Sequence, residues 1–254
     1  MAKSASRRER FYLALGFLTR IPVPPIEQFN QTKLDDSSRD FVLVGVLIGL
    51  CNALIALVAM NIWGSMPLAI VLMLAASIAL TGAFHEDGFA DFCDGFGGQH
   101  SAQRTLEIMK DSRLGTFGVS GLLAMLSLKA LGLSVLGSLP LLMAVTVWAH
   151  GASRALVTRC LVDGPAASSE GKAKPLAQTL SHEHWLTSLW PLLPFILILN
   201  WAYLLLSIAL LVLVKWGMMK WVRQRLGGYT GDCLGAIQQV AELTLILLAA
   251  AMLA

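Results

Sequence analysis

Apolar runs of about twenty residues recur along this chain, and that is the length a helix needs to cross the hydrocarbon core of a bilayer. They fall at about 41–61, 67–84, 114–136, 139–157 and 234–254, with a longer run at 186–216. Only 14% of the residues are charged and 56% are hydrophobic, whereas a soluble domain carries about 25% charged residues. The expected fold class is therefore all-α: a polytopic helical membrane protein of about seven transmembrane helices, with residues 1–254 forming a single integral membrane domain. The four cysteines form no C-x-x-C pair, so neither a disulfide framework nor a zinc site is expected.

Charge sets the expected topology. Lys and Arg gather in the N-terminal segment, in 104–113, in 154–174 and in 215–225, while the turns near 62–65 and 137–138 have none. Short loops on the cytoplasmic side concentrate these residues, so all four basic regions belong on that side. The N-terminus is then inside and the C-terminus outside. The 186–216 run must cross twice, as two short spans folded near Asn200, or else dip in and return. Phe11–Leu18 is too short to span and runs into Pro22, Pro24 and Pro25, so it reads as an N-terminal interfacial segment.

Against this background one stretch is dense in acid. Glu86, Asp87, Asp91 and Asp94 place four carboxylates within nine residues, and no Lys or Arg stands between His85 and Arg104. Asp87, Asp91 and Asp94 are spaced i, i+4, i+7, an arc of about 60° on a helix. Like charges stacked on one stripe repel. A divalent cation turns that repulsion into coordination, and Mg²⁺ is typically held by a few carboxylates with substrate phosphates completing its shell. A solvated surface helix is the bland alternative, but such a helix would mix its charges.

Two further polar blocks fall on the same expected face. In Leu106–Gly118, Lys110 and Arg113 offer charge to phosphate oxygens, and Asp111 is a further candidate metal ligand; anchoring cations that snorkel are the alternative. In Arg223–Gly235, the run Gly227-Gly228-Tyr229-Thr230-Gly231-Asp232 precedes a helix. Gly228, Thr230 and Gly231 suit a backbone nest for phosphate, and Asp232 either caps that helix or joins the metal site. Arg154, near the expected cytoplasmic end of the fourth span, either reaches a phosphate or snorkels. Lys129 and Glu242 are intramembrane charges, which usually face a bundle interior.

Four blocks together carry a resemblance. Phe17–Pro24, Thr81–Gly95, Leu106–Gly118 and Gly227–Ala236 match, in order, the motifs of the cobalamin-5′-phosphate synthase family, also called adenosylcobinamide-GDP ribazoletransferase. The resemblance implies an enzyme that transfers the adenosylcobinamide-phosphate group from adenosylcobinamide-GDP to α-ribazole or α-ribazole 5′-phosphate. GMP would be released and adenosylcobalamin or its 5′-phosphate formed, with Mg²⁺ as cofactor. It implies a bacterial cytoplasmic (inner) membrane location with the active site facing the cytoplasm. It involves no nucleic acid, and it admits a homo-oligomer or an assembly with other cobalamin-pathway enzymes. On this reading Asp87, Asp91 and Asp94 hold the metal, with Asp111 and Asp232 completing the site. Glu86, at a variable position of the motif, ranks below them. Lys110, Arg113 and Arg154 hold phosphates, and Asp94 or else His85 takes the acceptor proton.

Two other classes fit the sequence less well. A CDP-alcohol phosphotransferase, another Mg²⁺-dependent membrane enzyme, needs an Ala-Arg pair where this chain has Ala90-Asp91. A membrane cation transporter would carry its carboxylates near the midplane, not at one end of the spans beside basic residues.

Overall fold

A computed structural model describes residues 5–164 and 180–254. Most of the polar loop expected at 159–184 therefore lies outside the described residues. Those described fold into helices joined by short connections, without a strand. In chain order they are α1 (Arg7–Leu18), α2 (Gln31–Ser37), α3 (Phe41–Trp63), α4 (Met66–Thr81), α5 (Phe84–Phe96) and α6 (Ala102–Met109). There follow α7 (Thr116–Val135), α8 (Leu139–Asp163), α9 (His182–Ser188), α10 (Phe195–Ile198), α11 (Trp201–Leu226) and α12 (Gly231–Leu253).

The chain is a polytopic helical membrane protein. Helices α3, α7, α8, α11 and α12 are each long and apolar enough to cross a bilayer, and the bent pair α4–α5 makes a sixth candidate. The count is thus five or six where about seven were expected. Helix α1 opens with a capping box between Ser6 and Glu9, and Phe17 stacks on Phe41 at the start of α3, with ring centroids 5.6 Å apart. The expected interfacial segment is therefore a short helix laid against the first span.

The centre of the bundle is α8 against α3 and α12. Gly45 and Gly49 let α3 approach closely: a Cβ at Gly45 would lie 2.7 Å from the His150 carbonyl oxygen, and one at Gly49 would lie 2.7 Å from Val147 Cα. Small residues one turn apart serve this purpose in membrane helices, where apolar burial drives little association.

The 186–216 run breaks where Asn200 was flagged, but it does not form two regular spans. Trp185 donates to the Ala155 carbonyl at 2.9 Å, Leu192 abuts Gly151, and Phe195 packs 5.9 Å from Trp148. The chain thus descends beside α8 in short turns broken by Pro191 and Pro194, which cannot continue a helix ladder. Asn200 then caps α11 by accepting from Ala202 N–H at 2.8 Å, and α11 runs back to the starting end. The segment 182–199 thus descends beside α8, and α11 returns along it.

Candidate active site

The acidic helix owes its direction to a sharp bend. Gly82 (φ +66°) and Ala83 (φ +59°) both adopt the left-handed region, and α5 leaves α4 at 90°. A non-glycine residue there costs about 1–2 kcal/mol. A Cβ at Gly82 would also meet the Arg20 side chain, which would have to move aside. Helix α4 thus carries the crossing, and α5 lies across the end of the bundle.

Glycine contacts then seat α5 on its neighbours. A Cβ at Gly88 would lie 3.0 Å from Asp232 Cα and 3.2 Å from the Asp232 carbonyl oxygen. A Cβ at Gly235 would lie 3.3 Å from the His85 carbonyl oxygen. The backbones of α5 and α12 are therefore close together where Asp232 stands. Asp87 is exposed, and Asp91 and Asp232 are half-buried. Burial first, then the charges of Asp87, Asp232 and Asp94, push the Asp91 carboxyl up to about 7. The carboxylates of Asp87, Asp91 and Asp232, from two helices, thus share one electrostatic site.

Asp94 is engaged differently. Its Oδ2 accepts from Gly115 N–H at 2.7 Å and its Oδ1 from Gly118 N–H at 2.8 Å. It caps the N-terminus of α7 from another helix, satisfying donors that have no intrahelical partner. Each oxygen accepts one backbone N–H and keeps a lone pair, so Asp94 gains a positioning role on α7 beside the metal and proton-transfer roles expected of it. Gly115 and Gly118 are the donors of this cap.

His85 and Glu86 lie on the opposite side of α5 and are buried. Glu86 Oε1 accepts from Gln239 Nε2 at 3.1 Å, and the charges around His85 are those of Arg154, Glu242 and Lys129. Neither side chain faces the acidic stripe, so the proton-transfer role for His85 and the metal role for Glu86 do not fit this geometry. Arg154 is also buried, and its Nη1 donates to Glu242 Oε2 at 3.0 Å. Its expected phosphate role fails because α8 continues to Asp163, six residues past the expected end, leaving Arg154 well inside the helix. Glu242 also bonds Lys129 at 2.7 Å, and Lys129 bonds Gln239 at 2.6 Å. The two intramembrane charges flagged in the sequence are thus partners in one buried network under α5.

The other phosphate candidates lie at the end of α6, in the α6–α7 connection and in the α11–α12 connection. Lys110 ends α6, and Arg113 donates to Asp111 Oδ2 at 2.7 Å. That exposed pair holds the Asp111 carboxyl at about 2, through the Arg113 side chain first and its backbone N–H second. Gly227 (φ +78°) closes α11. Thr230, not Asp232, caps α12, accepting from Cys233 N–H at 3.3 Å, which leaves Asp232 to face α5. Gly228 is buried, while Gly231 is exposed with open space around its Cα. Arg225 bonds Thr105 and the Gly98 carbonyl, and Trp221 packs edge-on against Phe92 and Phe96. These contacts tie α11 to α5 and α6.

One group escaped the sequence reading. Helix α2 carries Asp35 and Asp36, both buried, and Asp35 is an electrostatic neighbour of Tyr229 in the glycine-rich loop. Acids in the polar stretch before the first span were the available signal, but mixed charges there resemble an ordinary solvated loop.

The donor set suits a hard cation. Burial, and after it the charges of Asp87, Asp232 and Asp94, raise the Asp91 carboxyl to about 7, and a cation relieves both the burial cost and the repulsion. Among the described residues no three acidic, His or Cys side chains are drawn to ligating distance. Mg²⁺ needs no such protein cage, because waters and substrate phosphates supply most of its ligands.

A model of the cobalamin-5-phosphate synthase family matches residues 10–250. Relatives named adenosylcobinamide-GDP ribazoletransferase include one from Vibrio cholerae, 40% identical over 96% of this chain and 94% of its own length. Another, from Leptothrix cholodnii, is 41% identical over 96% of this chain and 95% of its own. A third, from Shewanella amazonensis, is 40% identical over 94% of each. No solved structure matches the chain.

Proposed function

The chain belongs to the cobalamin-5-phosphate synthase family, and on that premise we propose how its residues perform the transfer for which its relatives are named. The substrates are adenosylcobinamide-GDP and α-ribazole or its 5′-phosphate. The acceptor hydroxyl forms a new P–O bond to the corrinoid-linked phosphorus. The P–O bond within the diphosphate breaks, and GMP leaves. The arrangement of Asp87 and Asp91 on α5 against Asp232 on α12 carries this reading.

Phosphoryl transfer asks a protein for positioning and charge stabilisation more than for covalent chemistry. Asp87, Asp91 and Asp232 would hold Mg²⁺, which when bound supplies Lewis-acid neutralisation of the diphosphate. Lys110 and Arg113 bind phosphate oxygens, with Arg113 exchanging its partner Asp111 for substrate. Backbone N–H groups around Gly228, Thr230 and Gly231 add donors at a helix N-terminus. The proton of the acceptor hydroxyl passes to a carboxylate of this same face. Asp94 keeps α7 docked on α5, so the Arg113 loop stays beside the stripe. Basic residues concentrate on the cytoplasmic side of short loops, and the basic segments 104–113 and 215–225 meet beside the site through Arg225 and Thr105, which supports a site on the cytoplasmic side of the bacterial inner membrane.

The test is GMP release from adenosylcobinamide-GDP by purified protein in detergent, with α-ribazole or its 5′-phosphate as acceptor, with and without Mg²⁺. Release that depends on Mg²⁺ and acceptor supports the reading. Release unaffected by chelation removes the metal role, and absence of release removes the reaction. Transport has no meaning without a closed compartment, so the same assay excludes a transporter.

A further inference from the structure

Away from the acidic face, α8, the broken segment 182–199 and α11 enclose a groove of about 1060 Å³. The proposed reaction makes no use of it. Its inner end is closed by Trp148 and Leu204, and Leu156 and Leu211 line its length. Among the described residues its mouth carries four cations, Arg159, Lys215, Lys220 and Arg223, against one carboxylate, Asp163. Asp163 bonds Arg159 at 2.7 Å and also Lys215, while its carbonyl accepts from Arg223 at 3.0 Å. Lys220 stands 5.1 Å over the Trp216 ring.

Three properties restrict what can occupy this space. The first is length. From Trp148 to Asp163 the groove follows fifteen residues of α8, about 22 Å at 1.5 Å per residue, or half of the 40–45 Å bilayer. The second is access. Ile196, Ile208, Val212 and Trp216 on its rims are 56–64% exposed, so the groove opens sideways into hydrocarbon. The third is charge: apolar depth ends in an excess of positive charge, on the face that also carries the acidic helix. A transmembrane helix would fill the walls and leave the cations without a counter-charge. A water-soluble anion would meet the mouth and leave the walls empty. Basic pockets between membrane helices on the cytoplasmic side are suited to anionic lipid headgroups.

We propose that this groove is a binding site for one anionic glycerophospholipid, with its phosphate among Lys215, Lys220 and Arg223 and an acyl chain along the α8–α11 seam. The site is separate from the acidic face and stands whether or not the reaction proposed above is correct.

Native mass spectrometry of the full chain in detergent tests it, using phosphatidylglycerol and phosphatidylcholine with the same acyl chains. The expected result is a single phosphatidylglycerol adduct, retained at least tenfold more strongly than phosphatidylcholine. The double variant Lys220→Gln/Arg223→Gln should weaken that adduct roughly 30-fold, from two cations at about fivefold each. Ile208→Trp, placed on an exposed rim where the fold tolerates bulk, should displace the lipid with every charge intact. Equal retention of the two lipids, an adduct insensitive to both variants, or a lipid-free protein dimer would each overturn the proposal.

Discussion

Replacing Asp94 by alanine separates positioning from catalysis at this site. The substitution removes two hydrogen bonds from a charged acceptor to Gly115 and Gly118 N–H, at 2.7 and 2.8 Å. It leaves the first turn of α7 uncapped. Loss of a side-chain cap costs about 0.5–2 kcal/mol, and the charged, half-buried geometry argues for the upper end, about 2 kcal/mol. At roughly 2–4 °C per kcal/mol for a chain of this size, the midpoint of thermal unfolding should fall by about 4–8 °C. Asp87→Ala, Asp91→Ala and Asp232→Ala should behave oppositely. Each removes a charge from a repelling group, so without Mg²⁺ their midpoints should equal or exceed that of the parent. All four variants should lose GMP release. The assay is tryptophan fluorescence melting in detergent with chelator, run beside turnover. If Asp94→Ala melted like the parent while the other three were destabilised, the assignment of Asp94 to the cap would be wrong.

Further outcomes follow from the same geometry. Gly88→Ala puts a methyl 3.0 Å from Asp232 Cα, so α5 must shift by a few tenths of an ångström; turnover should drop at least tenfold with the protein still folded and inserted. Arg154→Met removes one of two buried cations from Glu242, at 3.0 Å, and leaves Lys129 at 2.7 Å, so the cost should be about 1–3 kcal/mol, below that of an isolated buried pair. Folded yield should fall, while the folded enzyme keeps its KM for the corrinoid substrate. The Asp91 carboxyl, raised to about 7, is protonated in the free protein below that pH and must lose its proton to bind a cation. Apparent Mg²⁺ affinity should therefore fall by up to about tenfold per pH unit below about 7, measured by Mg²⁺ titration of turnover, and Asp91→Asn should flatten that dependence.

The parts legible in the sequence were those with a local signature. Apolar run lengths foretold the spans, and the i, i+4, i+7 spacing placed Asp87 and Asp91 on one helix face. Other features depended on partners far along the chain. Asp94 belongs to the same stripe by spacing, yet Gly115 and Gly118 claim it. Glu86 and His85 fall on the other face by the same helical arithmetic, a distinction that a count of nearby acids obscures. Arg154 was placed at a membrane edge because apolarity fades near Val157, but a helix can continue through polar sequence, and α8 runs to Asp163. In 186–216 hydropathy is blind to the difference between a span and a broken descent. Pro191 and Pro194 were the local clue to that break.

Binding of Mn²⁺, as a paramagnetic substitute for Mg²⁺, tests the central claim most directly. Electron paramagnetic resonance of the purified chain with a corrinoid-GDP substrate and no acceptor should show bound Mn²⁺ in the parent protein. The signal should be lost in Asp87→Ala, Asp91→Ala and Asp232→Ala and retained in Glu86→Gln. Equal Mn²⁺ binding in all of these proteins would contradict a cation site shared by α5 and α12.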